Sequence, residues 1–141
     1  MEEKTLFPNE KIIVTKHFDV HQDWDVPIPG FFIIAVIGKI QSIEEFNEEE
    51  TLEFIQMIKK IRKGMREILG IKNVYLFQDE STKHNLFHMW ILPRYDWMDK
   101  FGEKIQSIRP IIEYSKQNMT KESDLQEVRD YASKMREYMN K

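Results

Sequence analysis

The chain has 141 residues, 41% hydrophobic and 32% charged, which suits one domain with an apolar core and excludes disorder. A net charge of -3 supplies no basic field for holding a nucleic acid polymer by its phosphates. The absence of cysteine excludes disulfides, thiolate chemistry and cysteine-based zinc frameworks. The start, Met1-Glu2-Glu3-Lys4, lacks an apolar signal core, and the longest apolar run, Phe31 to Ile37, is far too short to span a bilayer. A cytoplasmic protein without a membrane partner is therefore expected.

Residues 1–10 read as a lead-in with a turn at Pro8-Asn9-Glu10. Lys11 to Lys16 is β-branched and predicts a strand. His17 to Trp24 continues extended, with Phe18, Val20 and Gln22 on one face and His17, Asp19, His21 and Asp23 on the other. Asp25-Val26-Pro27-Ile28-Pro29-Gly30 is a stiff connector, extended at Val26 and Ile28 because each precedes a proline. Phe31 to Ile37 is apolar on both faces and predicts a central strand. Asn47 and Glu50 form a capping-box pattern at the start of a helix over about 48–69, with Leu52, Ile55, Ile58, Ile61, Met65 and Ile68 as its apolar stripe and Gly70 just past its end. Val74 to Gln78 predicts a strand, and a polar loop leads to a second one through Lys83 to Pro93, making an antiparallel hairpin.

After Arg94 the pattern turns helical. Phe101, Ile105, Ile108 and Ile111 have helical spacing, with Pro110 in the first turn of a new helix. A last helix, capped by Thr120 or Ser123, carries Leu125, Val128, Tyr131 or Ala132, Met135 and Tyr138. The expected class is α+β: an antiparallel sheet with one long helix packed on it and extra C-terminal helices. It forms a single domain over 1–141, with a core at about 11–94 and a helical extension at about 98–141.

In the strand 83–93, Phe87, Met89 and Ile91 face one way and Leu86, His88, Trp90 and Leu92 the other, so His88 is an ionisable group in an apolar setting. It is either a half-buried histidine bonding a carbonyl or a chemical group. His84 and His88 share a strand face about 13 Å apart, too far for one metal ion. The glycines are scattered singly, so no phosphate-cradling loop exists, and no serine nucleophile elbow is present. No metal and no cofactor is expected.

The run Leu86-Phe87-His88-Met89-Trp90-Ile91-Leu92-Pro93-Arg94 resembles the strand of the histidine-triad (HIT) superfamily, with alternating histidines ahead of a proline-bearing end. Only the middle histidine, the family's nucleophile, is kept here, as His88; Leu86 and Trp90 stand at the other two positions. The passage His21 to Val36 resembles the family's turn against the nucleoside and the strand after it. By resemblance, Asp23 would hold the ribose hydroxyls, and His21 and Trp24 would lie against the base. Gln78 would end the neighbouring strand, and Ser81, Thr82 and Lys83 would line the phosphates. His84, Lys83 or Thr82 could approach the leaving group. Trp90, a donor only, could hold a phosphate oxygen but cannot transfer protons as an acid or base. The resemblance spans about residues 11–94. It implies a homodimer and a nucleotide hydrolase or nucleotidyl transferase acting through a nucleotidyl-histidine on His88, with a dinucleoside polyphosphate such as diadenosine tetraphosphate as substrate class. The alternative is a nucleotide-binding protein without turnover. Asp23 can equally be a turn residue bonding its own backbone, and Arg94 is a strand-end surface or dimer residue or else a phosphate contact.

Overall fold

A computed structural model describes residues 5–80 and 86–141. Five strands form one antiparallel sheet: β1 Lys11–Val14, β2 Phe18–Gln22, β3 Phe32–Val36, β4 Val74–Gln78 and β5 His88–Pro93. Their spatial order is β1-β2-β3-β5-β4, so the apolar run predicted as a central strand is central. The expected continuation from 11 to 24 is corrected by a tight turn at 15–17, closed by the Thr15 N–H donating to Phe18 O at 2.8 Å. Glu53 drives this reversal, because its carboxylate accepts from the His17 N–H at 2.9 Å and the Thr15 hydroxyl at 2.9 Å.

The long helix α1, Glu48–Glu67, starts where predicted. Asn47 Oδ1 accepts from the Glu50 N–H at 2.8 Å, and Glu50 Oε1 from the Asn47 N–H at 2.9 Å. Gly70 follows in the left-handed conformation at φ 70°, which suits the residue past a helix end. The stripe is rotated from the predicted one. Phe54, Met57, Ile61 and Met65 are buried, while Leu52, Ile55 and Ile68 are exposed. The sequence offers α1 two apolar flanks, and only the sheet decides which is covered.

The C-terminal part is less regular than the spacing suggested. Short 3-10 turns at Asp96–Phe101 and Ile105–Ser107 precede α2, Ile108–Asn118, which has Pro110 in its first turn. The last helix, α3, spans Glu122–Met139. Lys121, and neither Thr120 nor Ser123, is its N-cap, with Asp124 accepting from the Lys121 N–H at 3.2 Å. Val128, Ala132, Met135 and Met139 form its buried face, whereas Tyr138 is only half-buried. Where α3 meets α1, Gly64 makes room for the Tyr138 side chain: a Cβ there would lie 2.5 Å from its ring. α3 also covers the β1 edge. Arg136 donates to Lys11 O at 2.6 Å and Asn140 to Ile12 O at 2.8 Å, so these edge carbonyls are not left open for pairing.

Two cores result. Phe18, Val20, Phe32, Ile34, Phe87 and Ile91 pack beneath α1 and α3. On the opposite face Val26, Ile28, Phe31 and Leu92 pack with Met98 and Ile111, so the proline connector and the 96–112 segment cover one part of that face. The guanidinium of Arg94 holds this cover in place, donating to the Ser107 hydroxyl at 3.2 Å and to Met98 O at 3.4 Å, with Tyr75 under it at 5.6 Å. Arg94 is therefore a structural anchor and no bare strand-end residue.

Candidate active site

The uncovered part of that second face is a cleft of about 460 Å³, lined among others by His21, Asp23, Trp24, Ala35, His88 and Trp90. Strand register explains the convergence. His88 lies opposite Ala35 of β3, which lies opposite Asp19 of β2; Trp90 lies opposite Ile33, which lies opposite His21. Alternation points all six residues to one side of the sheet. Ala35 is the small residue in the central strand, and its short side chain leaves room between His88 and β2.

β5 begins only at His88, so Leu86 and Phe87 precede the ladder rather than belonging to it. This break has a chemical consequence. The free carbonyl of Leu86 lies 2.8 Å from His88 Nδ1. A carbonyl only accepts, so Nδ1 carries the proton, and in the neutral ring Nε2 keeps its lone pair. Trp90 stands edge-to-face with His88 at 4.3 Å and is itself stacked on Phe77 at 5.1 Å.

Asp23 plays the turn part that its position allowed. Its Oδ1 accepts from the Asp25 N–H at 2.9 Å and the Val26 N–H at 3.0 Å, which uses one oxygen and leaves Oδ2 out of the turn. Burial raises its pKa above the ordinary carboxylate value; the two backbone donors oppose this, Asp25 adds to it, and the Trp90 indole N–H opposes it. Trp90 and Asp23 thus line the same cleft close enough to interact. Gln22, on the other side of β2, fixes the connector by donating to Val26 O at 3.3 Å and Ile28 O at 3.1 Å.

His21 is buried, and its ring lies flat against Trp24 at 4.1 Å. Burial lowers its pKa; Asp19 opposes the shift, while Lys11 and His88 add to it. Asp19 Oδ1 and His21 Nε2 are both buried without a hydrogen-bond partner.

The predicted site residues therefore divide. His21, Asp23, Trp24, His88 and Trp90 come together in one cleft. Gln78 does not join them: it pairs with Met89, on the α1 side of the sheet, and its amide donates to Glu80. His17 is half-buried, with Nδ1 3.1 Å from Glu53. Thr82, Lys83 and His84 lie outside the described residues. Sequence reading missed Ala35, Asp25 and Phe77 as parts of the cleft and its wall, and gave no role to Asp19. Asp19 carried a signal, since it alternates onto the His21 face; the cross-strand partners of Ala35 and Phe77 carried none. No lysine or arginine among the described residues lines the cleft. Among the described residues, no group of three or more histidine, cysteine, aspartate or glutamate side chains converges as a metal site would.

No protein-family model and no curated protein matches this sequence. Solved structures do. Plasmodium falciparum diadenosine triphosphate hydrolase in complex with cyclomarin A superposes with a TM-score of 0.63 at 13% identity, over 93% of this chain and 76% of that one. A hypothetical histidine triad nucleotide-binding protein from Sulfolobus tokodaii gives 0.62 at 12% identity, over 93% and 83%. A HIT family protein from Bacillus subtilis gives 0.57 at 20% identity, over 90% and 87%. At these identities the likeness establishes the fold.

Proposed function

This chain has the fold of the histidine-triad proteins, and we propose that it acts on nucleotides as a hydrolase or nucleotidyl transferase of phosphoanhydride bonds, with His88 as nucleophile. The observation that carries this reading is the bond between His88 Nδ1 and Leu86 O at 2.8 Å, which reserves Nε2 as a lone pair at the edge of the cleft. In the reaction, the Nε2 lone pair attacks the α-phosphorus and the bond from phosphorus to the bridging oxygen breaks. The leaving phosphate or nucleotide departs with that electron pair. Water or another acceptor then attacks the nucleotidyl-histidine, the P–N bond breaks, and the attacking oxygen releases its proton. A diadenosine polyphosphate is the substrate class supported by the fold relative that hydrolyses diadenosine triphosphate. Such a leaving group departs as a phosphate anion and depends less on a general acid than an alkoxide would. That matters because Leu86 and Trp90 transfer no proton.

Within the cleft, Asp23 Oδ2 is the group for the ribose hydroxyls, and His21 and Trp24 form the wall for the base. Thr82, Lys83 and His84 remain our candidates for the phosphates and the leaving group. We further propose a cytoplasmic homodimer; no helix among the described residues is long and apolar enough to cross a membrane. The second reading, binding without turnover, draws on Leu86 and Trp90 at two of the triad positions. Incubation with a dinucleoside polyphosphate, acid quench and product analysis separates the two readings. Nucleotide product from the wild type but not from His88→Ala supports the enzyme. Binding of a mononucleotide with no product above that variant supports the second reading.

A further inference from the structure

Three buried polar atoms stand unpartnered in the described residues: Asp19 Oδ1, His21 Nε2 and Gln22 Oε1. Such atoms are uncommon, because each forgoes a hydrogen bond with water on folding. Gln22 belongs to the connector, on the far side of β2. The other two belong to one local arrangement facing the cleft. His21 Nδ1 is 3.9 Å from Asp19 Oδ1, so a small side-chain shift closes an N–H···O bond between them. That contact satisfies Asp19 and places the His21 proton on Nδ1. It leaves one orphan, the Nε2 lone pair of His21, an acceptor in a residue only 5% exposed.

Trp24 covers this histidine from the solvent side. It is 45% exposed and lies parallel to the His21 ring at 24°. Swinging the indole off His21 uncovers the ring and leaves the indole face free for another planar group. A planar ligand with an N–H donor at its edge would satisfy both, by stacking on Trp24 and donating to Nε2.

We propose that His21 selects the base: with Nδ1 turned to Asp19, its Nε2 accepts a hydrogen bond from the exocyclic amino group of a 6-aminopurine, and Trp24 stacks on that base. This rests on the reading of the cleft as a nucleotide site and adds to it a polar discrimination between bases. A site with a buried acceptor disfavours a ligand lacking the matching donor, because the acceptor then stays unpaired.

The test is a calorimetric comparison of AMP with purine riboside 5′-monophosphate, which differs only in lacking the amino group. AMP is expected to bind about ten- to a hundredfold more tightly to the wild type. In His21→Phe, which keeps a ring beside Trp24, the two affinities should converge. Asp19→Asn, which keeps the size of residue 19 but can present an amide to Nδ1, should reduce the preference. Equal affinities in the wild type would overturn the proposal while leaving the nucleotide site standing. So would a preference for AMP retained in a folded His21→Phe. Binding of neither compound would overturn the nucleotide reading and this proposal with it. The wild-type comparison decides even if a variant fails to fold.

Discussion

On one face of the sheet, Phe18, Val20, Ile34 and Ile91 are sealed beneath α1 and α3. On the other, His21, Ala35, His88 and Trp90 look into an open cleft. The same strands build both faces, residue by residue in alternation. The closed face excludes water from apolar groups and is a source of stability. The open face holds a histidine acceptor and a carboxylate oxygen without partners, and a second carboxylate whose burial disfavours its charge. These features weaken the fold and make sense as pre-formed contacts for a ligand. The sheet thus separates stability and chemistry by the direction of the side chain, even for neighbours along β5.

Substitutions on the two faces should therefore fail in different ways. The largest effect is expected from His88→Ala on the open face: a fall in dinucleoside polyphosphate turnover of about 10³-fold or more, measured by product release. Its denaturant midpoint should move little, by less than about 1 kcal/mol in stability. A severe loss of stability with turnover intact would break the division between faces. Next comes Ile91→Ala, three residues on and pointing the other way. Fully buried under α1, it should cost about 2–5 kcal/mol in a urea titration, by lost transfer energy and a cavity. Smaller again is Asn47→Ala, which removes the acceptor for the Glu50 N–H at the start of α1. It should cost about 1 kcal/mol with nucleotide affinity unchanged.

The smallest expected effect is on pH dependence. Burial lowers the folded-state pKa of His21 below its ordinary 6.5. The unfolded chain then binds the proton more readily, so the contribution of this group is full above 6.5 and is lost as pH falls through the window below it. Thermal melts from pH 7.5 to pH 5 should show wild type losing more stability than His21→Phe. Asp23 has the opposite sign, since burial raises its pKa above 3.8. Its contribution is present below 3.8 and is lost as pH rises through the folded-state value. Asp23→Asn keeps an oxygen for the Asp25 and Val26 N–H groups and should raise the melting temperature at pH 7, with the gain shrinking towards pH 4. Parallel pH curves for wild type and both variants would mean that the open face is not strained as described.

Much of this was legible in the chain. The alternation around His21 and His88 and the Asn47-Glu50 cap rest on neighbours within a few residues. The anomaly at His88 is equally local: a lone imidazole among apolar strand residues. The rotated stripe of α1 was not legible, since Leu52 and Ile55 are as apolar as Phe54 and Met57, and periodicity alone cannot say which flank meets the sheet. Gln78 illustrates the same limit: the end of a strand is readable, but the face it serves depends on its pairing with Met89.

What the sequence determined by itself is the periodicity: which residues share a side of each strand, and where α1 begins. Those follow from dihedral geometry and capping, which act over one or two turns of chain. Only the tertiary structure decided that residues 19, 35 and 88 form one row and 21, 33 and 90 the next. It also decided that β5 starts late enough to free the Leu86 carbonyl for His88, and that Trp90 and Asp23 line one cleft. These contacts join segments separated by up to about seventy residues, and strand register, which brings such segments together, is an agreement between strands that no single strand encodes.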